Sequence, residues 1–294
     1  MEDNILVSVI CAVYNHQAFL KKCLDGFICQ KTNFKFEVII HDDASTDNSA
    51  LIIEKYRTKY PDIIKPIYQT ENQYSKGIDI FSSIMIPRSQ GKYIALCEGD
   101  DYWVNPSKLQ KQVDFLERHS DITMSFHGAC VERVNNKIGK EAAPMYINIQ
   151  DREYSSAELF NKWIAPTASM VFRKDILDFQ ILKNPAILNT DIIVVLLAAN
   201  KGRIFGFSEQ MSVYRVHEGG VTWNANLNVK RLKKYPIHFL FIKRTFKKVP
   251  SKIINKKIAS TYRHLAHYYK DEKDYLNLLI AFFKKVYYLI LSAF

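Results

Sequence analysis

Three short apolar runs, each ending in polar or acidic residues, constrain this chain more than any other feature. Val7–Val13, Phe36–His41 and Tyr93–Cys97 are apolar and partly β-branched. Runs of that length read as buried strands. Helical patterns stand between them. Asn15–Gln30 places Phe19, Leu20, Cys23, Leu24 and Phe27 at helical spacing, and Asn48–Tyr60 stops at Pro61. Ile64–Gln69 reads as a further strand. Ile78–Ser89 reads as a third helix, with Gly91 as its C-terminal stop. This alternation predicts an α/β fold: a mainly parallel sheet flanked by helices. Ligands bind such sheets beyond the carboxyl ends of the strands. The loops Asp42–Asp47 and Glu98–Asp101 fall at that edge.

The rest of the chain continues the pattern less regularly. Lys108–His119 reads as a surface helix and Ile122–Arg133 as a strand. Asn135–Arg152 is polar and aperiodic, which suits loops. Ser155–Lys162 reads as a short helix, Ala168–Arg173 as a strand, Asp191–Asn200 as an apolar helix and Gly206–Val216 as a strand. With 294 residues, 48% of them hydrophobic, the chain suits one large domain plus an appendage. Composition shifts near Asn228, so the expected division is a domain over 1–228 and a helical extension over 229–294.

Charge marks the same division. Residues 230–294 carry 16 Lys/Arg and three Asp/Glu, a net +13; the whole chain is +11, so the remainder is close to neutral. The five cysteines are scattered, odd in number and without a CxxC pair, which fits buried thiols in a reducing compartment. The acidic start MEDNILVSVI is unlike a secretory signal, and no apolar run reaches the roughly 18 residues that span a bilayer. A cytoplasmic protein is expected. Nucleic-acid binding fits the charge, but no recognised module supports it.

The paired acids carry the chemistry. Glu98, Asp100 and Asp101 crowd one loop, which is unfavourable unless a cation neutralises them. Hard oxygen ligands suit Mg²⁺ or Mn²⁺ shared with phosphate oxygens. A solvated acidic turn capping a helix explains the same residues on spacing alone. Asp43 ends another strand, where a carboxylate can accept from a base N–H; Asp47 suits the cap of the next helix.

VSVICAVYN at Val7–Asn15, VIIHDDASTDNS at Val38–Ser49 and GKYIALCEGDDYW at Gly91–Trp103 together resemble the family 2 glycosyltransferases of the GT-A fold. The resemblance covers about the first 220 residues and implies a Rossmann-like GT-A sheet. It places Ala12, Tyr14 and Asn15 beside the nucleotide and Asp43 on a uracil-type imide. It places Asp100 near the ribose and sugar, and Asp101 on a divalent metal, Mn²⁺ or Mg²⁺, that bridges the donor diphosphate. Ala12-Val13 stands where the family usually has Pro-Thr or Thr-Ser, so one hydroxyl contact to the nucleotide is missing. Asp191, at a helix start, matches the catalytic base. Arg215 and His217 match the segment that meets the diphosphate and the metal, with Gly219-Gly220 and Trp223 as a flexible lid. Lys76, with Asn72 and Trp103, is placed in the donor site by chain position alone.

The resemblance implies an inverting enzyme that moves sugar from a nucleotide-sugar donor, UDP-sugar favoured, to a glycan or lipid-linked glycan acceptor in bacterial surface polysaccharide synthesis. A sugar nucleotidyltransferase would want a Gly-rich basic loop, which Cys11–His16 lacks. A catalytically inactive nucleotide-sugar-binding or membrane scaffold is the remaining alternative. Tyr275–Phe294 is apolar on most sides and broken by Lys284-Lys285. It suits peripheral contact with the inner face of the cytoplasmic membrane, packing on the catalytic domain, or a homo-oligomer contact.

Overall fold

The computed structural model describes residues 4–134, 146–217, 220 and 225–293. Among the described residues, the strand runs read from sequence form the centre of a nine-stranded sheet. β1 (Ile5–Val13) pairs in parallel with β2 (Lys35–Asp42) on one side and β4 (Tyr93–Leu96) on the other; β3 (Ile64–Tyr68) extends the parallel set beyond β2. All four therefore finish at one edge. Past β4 the direction reverses: β8 (Val171–Arg173) is antiparallel to β4, and β6 (Ile122–Arg133) is antiparallel to β8. β9 (Arg203–Val216) then runs parallel to β6 and carries β5 (Tyr102–Trp103) and β7 (Arg152–Glu153) antiparallel to itself. The order is β3-β2-β1-β4-β8-β6-β9-β5.

Side chains of β1 alternate between two cores, as the period of two requires. Val7, Val9, Cys11 and Val13 join one, with α1 (Gln17–Ile28), α2 (Ser49–Lys59) and α3 (Lys108–Arg118). Ile10 faces the other, with α4 (Ser156–Asn161) and α6 (Thr190–Lys201). The helix α6 buries every residue from Ile193 to Ala199. Truncating a residue such as Leu196 to alanine costs about 2–5 kcal/mol. The short α5 (Phe179–Leu182) lies before it, capped by Asp178.

The sheet curls back over α1. Gly26 of α1 meets the backbone of Trp103 on β5; an added Cβ would stand 2.8 Å from the Trp103 carbonyl oxygen. A side chain there would force the last strand off the first helix.

Three expectations change. Ile78–Ser89 is a π-turn over Phe81–Met85 followed by a 3₁₀ turn over Ile86–Arg88. Pro87 lacks the N–H that a regular α-helix would use. Gly91 is required for close packing rather than as a helix stop: an added Cβ would lie 2.5 Å from the Ser8 nitrogen. The strand expected over Ala168–Arg173 begins only at Val171, after a 3₁₀ turn over Thr167–Ser169.

The basic extension is three helices: α7 (Ala225–Thr245), α8 (Ser251–Asp271) and α9 (Tyr275–Ile290). Phe239, Ile242 and Phe246 of α7, with Ile254 and Ile258 of α8, enter the core that α6 occupies. α9 folds back on α8, turning at Lys273 with φ 58°. Tyr262 and Tyr288 stack at 6.1 Å between ring centres.

Candidate active site

Loops after β1, β2 and β4 meet at the carboxyl edge. Asn15, in the left-handed region at φ 55°, turns the chain out of β1, a conformation Asn tolerates. Its side-chain oxygen accepts from the Thr46 N–H at 2.8 Å. Asp47 serves two helices at once, accepting from the Gln17 N–H of α1 at 3.0 Å and the Ser49 N–H of α2 at 2.8 Å. The expected cap is thus a cross-cap that locks the two loops together. Ala12 contributes through its carbonyl, which accepts from Gly99 N–H at 2.9 Å and joins the first loop to the acidic one. Tyr14 is exposed beside this junction.

The loop after β4 holds the acids. Asp101 is 1% exposed, and its Oδ1 accepts from the backbone N–H of Arg215 at 2.8 Å. Burial and the charge of Asp100 push its carboxyl well above the usual range; the Arg215 N–H works against them. Asp100 faces the other way. Its Oδ2 shares a hydrogen bond with His217 Nε2 at 3.0 Å and lies 3.9 Å from His16 Nε2. Its Oδ1 is buried without a partner. Burial alone would raise its carboxyl, but the bond to His217 and the neighbouring imidazoles outweigh this and hold it below the usual value.

Sequence reasoning paired His217 with Asp101. The structure brings His217 to Asp100 instead, while Asp101 is buried and held by the Arg215 N–H. Phe19 packs on the His217 ring at 4.6 Å. His16, which sequence reasoning missed, stands edge-on to it at 6.3 Å. Its only signal was its place directly after Tyr14-Asn15.

Arg215 is also differently employed. Its guanidinium bonds to Glu132 Oε2 at 3.0 Å and the Asp100 carbonyl at 2.9 Å, and lies over the Tyr102 ring at 4.3 Å. These contacts bury it, so it braces the acidic loop instead of standing free for a diphosphate. Asp43 is 2% exposed, and both its oxygens accept backbone N–H groups, from Gln73 at 2.7 Å and Tyr74 at 3.0 Å. Asn72 donates to the Asp43 carbonyl at 3.2 Å. Asp43 therefore pins the 72–77 loop over the edge. Lys76 in that loop is exposed and paired with Glu71. Trp103 is buried, its indole N–H donating to the Ala168 carbonyl at 2.8 Å.

Asp191 sits in the first turn of α6, with Oδ1 accepting from the Ile192 N–H at 2.9 Å. Burial raises its carboxyl above the usual range. Its charge reaches Glu98: crowding by protein, then the charges of Asp100 and Asp191, push the Glu98 carboxyl up to about 8, although its outer face is open to solvent. Tyr146 feels both Asp101 and Asp191, and burial with those charges pushes its phenol up. Acids ninety residues apart in the chain therefore lie near enough to act on one another's charge. Glu218, Gly219 and Trp223 of the expected lid lie outside the described residues.

Among the described residues no three His, Cys, Asp or Glu side chains form a closed cation cage. The Asp100–His217 pair nevertheless fits a divalent cation, since the orphaned Asp100 oxygen is a free hard ligand beside an imidazole. Mg²⁺ and Mn²⁺ commonly take only one or two protein ligands and complete their shell with phosphate and water.

An uncharacterized protein of Mycobacterium bovis is 34% identical over 225 residues, covering 76% of this chain and 62% of its own. The chain thus spans about three fifths of that relative. The Escherichia coli UDP-Glc:alpha-D-GlcNAc-diphosphoundecaprenol beta-1,3-glucosyltransferase WfaP is 32% identical over 143 residues, 49% of this chain and 53% of WfaP. In three dimensions the mannosyltransferase PcManGT from Pyrobaculum calidifontis, solved with GDP-Man and Mn²⁺, aligns with a TM-score of 0.61 over 99% of this chain and 76% of its own, at 18% identity. Residues 8–179, which hold the β1, β2 and β4 loops, match the model of Glycosyl transferase family 2, and the chain belongs to that family.

Proposed function

We propose that this chain transfers a sugar from a nucleoside-diphosphate sugar, UDP-sugar favoured, to a hydroxyl of a glycan or lipid-linked glycan acceptor, in the cytoplasm and with inversion. The observation that carries the reading is that the charges of Asp191 and of Asp100, which pairs with His217, both act on Glu98 in the loop after β4 of a family 2 domain. The UDP-sugar donor and diphosphoundecaprenol acceptor in the name of WfaP support the choice of substrates. The Mn²⁺ beside GDP-Man in PcManGT supports a divalent metal.

Asp100 and His217 would hold that cation, which when bound neutralises charge on the departing diphosphate. Asp191 takes the acceptor hydroxyl proton. The freed oxygen forms its bond to the anomeric carbon as the bond to the diphosphate oxygen breaks. One displacement from the face opposite the leaving group inverts the centre. A carboxylate made more basic by burial suits proton removal near neutral pH. Asp43 and Tyr14 frame the nucleotide side of the cleft.

The test is incubation with UDP-, GDP- and dTDP-sugars, Mn²⁺ and an undecaprenyl-type or saccharide acceptor. Release of nucleoside diphosphate with a β-linked product from an α-linked donor is expected. Release of pyrophosphate instead would indicate nucleotidyl transfer, and donor binding without turnover an inactive scaffold; either result defeats the proposal.

A further inference from the structure

The helix α9 is apolar on both faces. Its inward positions, Leu278, Ala281, Lys285, Val286 and Tyr288, are apolar but for one lysine. Its outward face is apolar as well. Tyr275 and Leu276 are each 70% exposed, Phe283 63%, Tyr287 57%, Ile290 55% and Leu279 54%. A surface helix of a water-soluble domain normally turns a polar face outward. A continuous exposed apolar face of this kind marks an interaction site.

The charge around it selects the partner. No Asp or Glu occurs in residues 275–294, and residues 230–294 are net +13. Laying this face against a second copy would bring two strongly basic extensions together. A surface of anionic lipid offers the complementary charge and an apolar layer for the outward side chains. No helix among the described residues is long and apolar enough to cross a bilayer. At about 1.5 Å per residue, α9 is roughly 24 Å long and suits lying in the interface plane.

We propose that α9 is an in-plane membrane anchor that docks this protein on anionic lipid through its outward face. α7 and α8, fixed in the core beside α6, would couple that anchor rigidly to the cleft. The inference rests on the proposed glycosyl transfer only for its consequence: delivery of a lipid-linked acceptor to Asp191.

The full chain should sediment with vesicles of phosphatidylcholine containing roughly a third phosphatidylglycerol, and far less with phosphatidylcholine alone. The triple substitution Leu276→Glu, Leu279→Glu and Phe283→Glu should lower anionic-vesicle binding at least tenfold, with unchanged melting temperature and unchanged donor turnover on a soluble acceptor. Equal sedimentation of parent and variant overturns the proposal, as does a parent that stays in the supernatant. A concentration-dependent dimer dissolved by the same substitutions, without vesicle binding, assigns the face to a second copy and also overturns it. Donor turnover is read without vesicles, so a failure of the glycosyl-transfer reading appears separately.

Discussion

His217 at the end of β9 and Asp100 after β4 share a hydrogen bond of 3.0 Å across 117 positions of chain. That bond ties the end of β9 to the loop after β4. It leaves Asp100 Oδ1 without a partner, while Asp101 next door is occupied by the Arg215 N–H. The neighbouring acids should therefore respond differently to substitution.

Asp100→Ala and His217→Ala should each weaken Mn²⁺-dependent binding of nucleoside diphosphate by about tenfold or more, since each removes a ligand. Melting temperature should change little. Calorimetric titration with and without Mn²⁺ measures this, and unaltered Mn²⁺ dependence in both variants would remove the metal assignment.

Asp101→Ala should act first on stability. It leaves the Arg215 N–H buried without an acceptor, a loss of about 1–3 kcal/mol. Denaturant unfolding would register it. A variant as stable as the parent would show that the bond is not needed.

Asp191→Asn keeps the shape of the α6 N-terminus and removes the base. Turnover should fall by roughly 10²–10⁴ with donor affinity retained. Steady-state kinetics with a fixed acceptor decide, and an undiminished kcat rejects the role.

Lys108 supplies a pH test away from the cleft. Its ammonium is fully buried, without a hydrogen-bond partner, 4.1 Å above the Trp103 ring. Burial lowers it to about 7 from an unfolded value of 10.5, with Cys97 opposing weakly. The unfolded chain therefore binds more protons between those two values, and the parent should gain stability as pH rises from about 7 towards 10.5. Below pH 7 the full cost of charging the buried amine remains. Lys108→Met should flatten this slope and be more stable than the parent at pH 7 by roughly 1–3 kcal/mol. Parallel slopes for the two proteins over pH 7–10 would contradict the burial argument.

Gly26→Ala should separate α1 from β5, because the new Cβ would stand 2.8 Å from the Trp103 carbonyl. A loss of about 1–3 kcal/mol is expected from overpacking. Thermal unfolding measures it.

Local pattern was enough for the central strands and the flanking helices. Val7–Val13 and Tyr93–Cys97 announce buried strands, and α3 and α6 lie within a residue or two of their expected bounds. The acids at the strand ends and Asp191 at a helix start were legible for the same reason: each depends on neighbours in sequence. The partnerships among them were not. Which of Asp100 and Asp101 meets His217, and whether Arg215 is free or spent on Glu132, follow from how β9 docks beside the β4 loop. The outward face of α9 was equally hidden, since a helix apolar on most sides does not reveal which side the core has claimed. Periodicity is a short-range property of the chain; long-range packing alone selects which of several apolar faces is buried and which of two adjacent carboxylates turns to the cleft.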